Sequence, residues 1–79
     1  MNQTDKYVAA KVAQLRRRLA ISQDEISHIM GISQSAYSER ESYNVPFKFS
    51  EITALAEYSN TPIQWFVPMF NFDTLRADI

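Results

Sequence analysis

Four neighbouring side chains in the 79-residue chain, Gln34, Ser35, Ser38 and Glu39, carry the chemistry of hydrogen-bond recognition. An amide presents a donor beside an acceptor and can pair with the N6 and N7 edge of adenine. A carboxylate can accept from the N4 amine of cytosine, or repel phosphates and so exclude wrong sequences. The same four residues also make an ordinary solvated helix face. Covalent and metal chemistry has no comparable set. There is no cysteine, one histidine (His28), and one glycine, so there is no thiolate nucleophile and no Gly-rich phosphate loop. His28 lacks clustered second ligands and reads as a surface residue rather than a metal ligand. Serine and glutamate are plentiful, but at positions where a helix needs caps. The expectation is a non-enzyme with no metal and no cofactor.

The charges are unevenly spread. Residues 1–20 hold Lys6, Lys11, Arg16, Arg17 and Arg18 against Asp5 alone. Residues 21–45 hold Arg40 against Asp24, Glu25, Glu39 and Glu41, and the remainder holds Lys48 and Arg76 against Glu51, Glu57, Asp73 and Asp78. The net charge is −1, which predicts low non-specific affinity for nucleic acid, since that affinity comes from phosphate neutralisation. Arg17 and Arg18, pointing away from the apolar stripe of their helix, are candidates for phosphate contact, as is Lys48 in a loop. A charge run is equally a solvated helix face.

The elements that must position these groups are almost all helical. A first helix is expected from a cap at Thr4 or Asp5, with Val8, Val12, Leu15 and Leu19 as its apolar stripe. A second begins at Ser22, where Glu25 completes a capping box and Ile21 with Ile26 a hydrophobic staple. It buries Ile26, Ile29 and Met30 and stops at Gly31, where a left-handed residue is wanted. A third repeats the device, with Ser33 as cap and Ile32 stapled to Tyr37, and runs from Gln34 to about Ser42 before Tyr43-Asn44-Val45-Pro46 ends it. A fourth runs from Phe49 or Ser50 to Tyr58, turning Phe49, Ile52, Leu55 and Ala56 inward, with Asn60 as stop. Pro62 opens a short fifth helix through Val67, and Pro68 ends it. The fold class is therefore all-α: five helices in one compact domain over residues 1–79, with a short C-terminal extension, 69–79. A chain of this size has a thin core, which dimerisation would thicken. No apolar run approaches the roughly 18 residues of a membrane span. Met1-Asn2-Gln3-Thr4-Asp5 lacks the apolar stretch of a secretory signal, so the expected location is the cytoplasm, with no membrane partner.

Two short capped helices joined through Gly31 form a helix-turn-helix unit, residues 22–42. Neither is long enough to be stable alone, so each needs its ends satisfied and one side packed. The stretch Val12 to Phe66 resembles the phage-repressor/Cro-like (Xre-type) helix-turn-helix family. The matching motifs are Leu15-Arg16, Ile21-Ser22-Gln23-Asp24-Glu25-Ile26, Met30 to Ser38 around Gly31-Ile32-Ser33-Gln34-Ser35, then Glu41 and Leu55-Ala56-Glu57-Tyr58. The resemblance implies a repressor-like DNA-binding domain whose helix 33–42 reads the major groove of double-stranded DNA at a short inverted repeat. By position it places Gln34, Ser35, Ser38 and Glu39 at base edges, and Gln23 and Ser33 at phosphates. It makes Arg16 and Glu41 a structural ion pair. Arg40 stands where the family usually has an apolar residue, Glu39 where Lys, Arg or Gln is commoner, and Ser59 where an apolar residue is usual. Tyr43 and Asn44 replace the usual Asn-Gly-type stop. A homodimer would use the apolar C-terminal cluster, Trp65, Phe70, Phe72 and Leu75. Two alternatives stay open: an antitoxin that also grips a toxin, and a protein-interaction module that has lost DNA binding, which the acidic balance and Glu39 favour.

Overall fold

Helix ends decide the architecture of this chain, and most are closed by one side chain or one left-handed residue. The computed structural model describes residues 1–67. Helix α1 spans Gln3–Leu19. Its cap is Asn2, not Thr4 or Asp5: the Asn2 Oδ1 accepts the Asp5 backbone N–H at 2.7 Å, which leaves Thr4 and Asp5 inside the first turn. Helix α2 spans Gln23–Met30, with both halves of the Ser22–Glu25 box made, at 3.0 and 3.2 Å. Gly31 ends it at φ +74°. Helix α3 spans Gln34–Glu41, capped by the Ser33 hydroxyl accepting from Ala36 N–H at 3.0 Å. Helix α4 spans Phe49–Ser59 and stops at Asn60, φ +54°. The expected fifth helix is one 3-10 turn, Ile63–Trp65, followed directly by Phe66 and Val67.

Each α-helix supplies part of one core. Val8, Val12 and Leu15 come from α1, Ile26 and Met30 from α2, Tyr37 from α3, and Ile52, Leu55 and Ala56 from α4, with Phe66 closing the end. Around them pack Leu19, Ile21, Ile29, Ile32, Phe47, Ile63, Trp65 and Val67. Phe49 does not face inward. It is 69% exposed, while Phe47, the residue before the α4 cap, packs against the core and lies 5.7 Å from the Tyr37 ring. The staple position thus takes the aromatic that the periodicity of α4 assigned to its first residue. Ser59, the polar substitution late in α4, satisfies its hydroxyl by donating to the Leu55 carbonyl at 2.7 Å. No helix among the described residues is long and apolar enough to cross a membrane. Phe70, Phe72 and Leu75 lie outside the described residues.

Helix α1 ends without a glycine. Ala20 takes φ +57°, ψ +37°, and its N–H closes the helix on the Arg16 and Arg17 carbonyls. A Cβ in that conformation costs about 1–2 kcal/mol, partly offset by the greater unfolded-state freedom of glycine. Ala20→Gly should therefore raise the unfolding free energy by about 0.5–1 kcal/mol. A urea midpoint that stays put or falls would show that Ala20 carries no such strain.

Candidate nucleic-acid interface

Helix α3 keeps most of its surface polar, so only Tyr37 among its large side chains is an apolar anchor. Charge does the rest. Near the C-terminal end of α1, Arg16 makes a two-pronged contact with the last residue of α3: Nε donates to Glu41 Oε2 at 3.0 Å and Nη2 to Oε1 at 3.1 Å. The third arm, Nη1, donates to the Ile21 carbonyl at 3.0 Å. One guanidinium therefore joins α1, the α1–α2 connection and α3, with its planar fork matched to a carboxylate. The two side chains retain 17% and 13% exposure. Burial by itself would push the Glu41 carboxyl up, but the hydrogen bonds and charge of Arg16, helped by the nearby Tyr37 and Gln23 side chains, together outweigh it, and the group titrates below its ordinary value. The hydrogen bond to Glu41 raises the Arg16 guanidinium further still. The buried Tyr37 hydroxyl lies close enough to feel both charges yet makes no well-formed hydrogen bond, and burial drives its ionisation above the usual phenol range.

A second fork sits one residue earlier. Arg40 Nε donates to Glu51 Oε1 at 2.7 Å and Nη2 to Oε2 at 3.0 Å, while Nη1 donates to the Ala36 carbonyl at 3.0 Å. These side chains are 11% and 4% exposed. Arg40 drew notice in the sequence only as a departure from an apolar position, and Glu51 drew none. The only available signals were that departure and an acid at the third position of the following helix, where it can reach back to the cap.

The held helix presents its polar edge beside the start of α2. Gln23 from α2, with Gln34, Ser35, Ser38 and Glu39 from α3, line one open depression. Gln34, Ser35 and Glu39 are exposed; Gln23 and Ser38 are half-buried. The Ser33 hydroxyl already accepts from Ala36 N–H, which leaves its own hydrogen free to donate. Arg17, Arg18 and Lys48 are exposed, but none lines the depression. The Arg18 guanidinium carbon lies 5.8 Å from the centre of the Trp65 ring, which Lys11 Nζ approaches to 4.5 Å. The half-buried Trp65 also packs edge-on against Phe66, with ring centres 5.2 Å apart.

A helix-turn-helix family model matches residues 12–66, from within α1 to the end of the core. The chain belongs to the Xre/Cro-like helix-turn-helix family. Comparison with curated proteins and with solved structures gave no match. As a helix-turn-helix protein it is a DNA-binding regulator, and α2, the Gly31 turn and α3 all lie within the matched residues.

The helix-turn-helix protein should depend on the Arg16–Glu41 fork for stability. Glu41→Ala strands a largely buried guanidinium and should cost about 2–4 kcal/mol at neutral pH, somewhat under the range for a fully buried pair. Because the folded carboxyl titrates below its ordinary 4.5, its stabilisation is complete above that pH and is lost as pH falls through the lower folded value. Denaturant titrations at neutral and acid pH should show a gap between wild type and Glu41→Gln that narrows below about pH 4.5. An equal gap at every pH would remove the carboxylate charge from the account.

Proposed function

We propose that this helix-turn-helix protein is a sequence-specific transcriptional repressor of the cytoplasm that lays α3 in the major groove of a short inverted repeat. The observation that carries this reading is the shared depression of Gln23, Gln34, Ser35, Ser38 and Glu39, at the open junction of α2 with α3. In it, Gln34 pairs with an adenine edge, Glu39 accepts from a cytosine amine, and Ser35 and Ser38 take the neighbouring base edges. Gln23, Ser33, Arg17, Arg18 and Lys48 bind phosphates and set the docking register. The chain acts as one domain over residues 1–79 and pairs as a homodimer, with half-sites about one DNA turn apart. The support for a dimer is the apolar content of Trp65, Phe70, Phe72 and Leu75 in so small a chain, a composition that would make an apolar patch if left unpaired. A depression lined, among the described residues, by an acid and by no cation favours a second reading, a module that docks a protein through this face.

Selection of tight-binding sequences from a randomised duplex pool decides between them: a regulator enriches a two-fold symmetric site, and a protein-docking module enriches none. On the enriched duplex, Gln34→Ala should lose about 1–3 kcal/mol and relax preference at one base pair. Gln23→Ala should weaken selected and scrambled duplexes alike, because a phosphate contact carries no sequence information. Equal losses on both duplexes for Gln34→Ala would remove that residue from the base-reading set. Deleting residues 69–79 should turn a dimer into a monomer in sedimentation while leaving most of the helical signal. A full-length chain already monomeric at tens of micromolar would place dimerisation elsewhere.

A further inference from the structure

The two ion pairs of the recognition helix come from adjacent residues and reach different helices. Arg40 is held by Glu51 of α4 and Glu41 by Arg16 of α1. Adjacent positions on an α-helix point about 100° apart. One fork beside the buried Tyr37 would fix α3 at two places and hold its roll only by packing. Two forks at that angle, each anchored on a separate helix, fix its rotation about its own axis. Rotation is what decides which side chains of α3 face outward from the α2–α3 junction.

The Glu51 carboxylate does more than hold Arg40. Its Oε1 also accepts the backbone N–H of Lys48 at 2.9 Å, which closes the first turn of α4. Lys48 has no side-chain acceptor to offer as a cap, so Glu51 supplies the capping bond alone. The connection between α3 and α4 is fastened at its other end as well: the Asn44 and Val45 N–H groups both reach the Glu39 carbonyl, at 2.9 and 3.3 Å. Tyr43 in the left-handed region, φ +69°, makes the bend. The backbone of Lys48 and the roll of α3 are therefore set at one buried carboxylate.

We infer that Arg40 and Glu51 are positioning residues for sequence readout, fixing the base-facing edge of α3 in register with a phosphate contact at Lys48. This rests on the DNA-binding reading above. Neither residue lines the depression, and both side chains are buried. They act through the angle at which Gln34, Ser35, Ser38 and Glu39 are presented.

The test is the double variant Arg40→Met/Glu51→Leu, which removes both charges and so leaves none stranded in the interior. Circular dichroism and thermal melting establish its fold, and binding is measured on the duplex enriched by the wild-type protein and on a scrambled duplex of the same composition. The expected result is a folded protein whose preference for the enriched duplex falls about tenfold, or about 1.4 kcal/mol, while affinity for the scrambled duplex holds. A pair that only stabilised the fold would shift the melting temperature and leave the preference intact, and that result overturns the inference. If the double variant does not fold, Glu51→Gln, which keeps an acceptor for the Lys48 N–H, is judged by the same ratio. A wild-type protein that enriches no duplex overturns the DNA-binding reading and this inference together; a wild-type preference retained in a folded variant overturns the inference alone.

Discussion

A short helix with a polar outer face still has to stay attached to a small domain. Helix α3 is eight residues long and buries one large apolar side chain, Tyr37. Such a segment has little helical stability of its own, so its attachment has to come from tertiary contacts. Here those contacts are guanidinium–carboxylate forks at Glu41 and Arg40, and each arginine spends its remaining arm on a backbone carbonyl. Taking charges out of water is costly, and it is tolerable only when the hydrogen-bonding capacity is met in this way. An apolar seam of the same size would hold the helix by packing alone. The forks add direction, since a bidentate contact specifies orientation as well as distance.

The parts of the structure that could be read from the residue order are those governed by local rules. Ser22 with Glu25, Ser33, Gly31 and Asn60 act within four residues of themselves, and each closes a helix where its chemistry says it should. The same locality explains the errors at the edges. Asn2, Thr4 and Asp5 are all competent caps, and only the path of the chain selects Asn2. Phe49 fits the helical period of α4, but the period cannot tell that Phe47, outside the helix, fills the space first. The fifth helix is one 3-10 turn because Pro62 sets a start and Pro68 in the sequence disfavours helix at the residue before it, which leaves too few residues for a second turn.

The face suggested for recognition was legible as a group, because Gln34, Ser35, Ser38 and Glu39 share one polar side of one short helix. Gln23 joined it through a family resemblance rather than through any pattern in its own neighbourhood. The Arg40–Glu51 fork was not legible, since its partners are eleven positions apart and on different helices, with a bend at Tyr43 between them. Of the exposed cations, Arg18 lies near an indole and Lys48 sits just before α4 with its backbone N–H held by Glu51, and neither location follows from a count of charges.

That no lysine or arginine among the described residues lines the α2–α3 depression bears on time as much as on binding. Sliding along a duplex depends on attraction to phosphates that is indifferent to sequence. With a net charge of −1, a regulator whose Arg17, Arg18 and Lys48 stand outside that depression would draw such attraction from the flanks of the site and not from the described walls of the depression itself. Time on a random stretch would then be set by those flanking cations, and time on the right one by the bases.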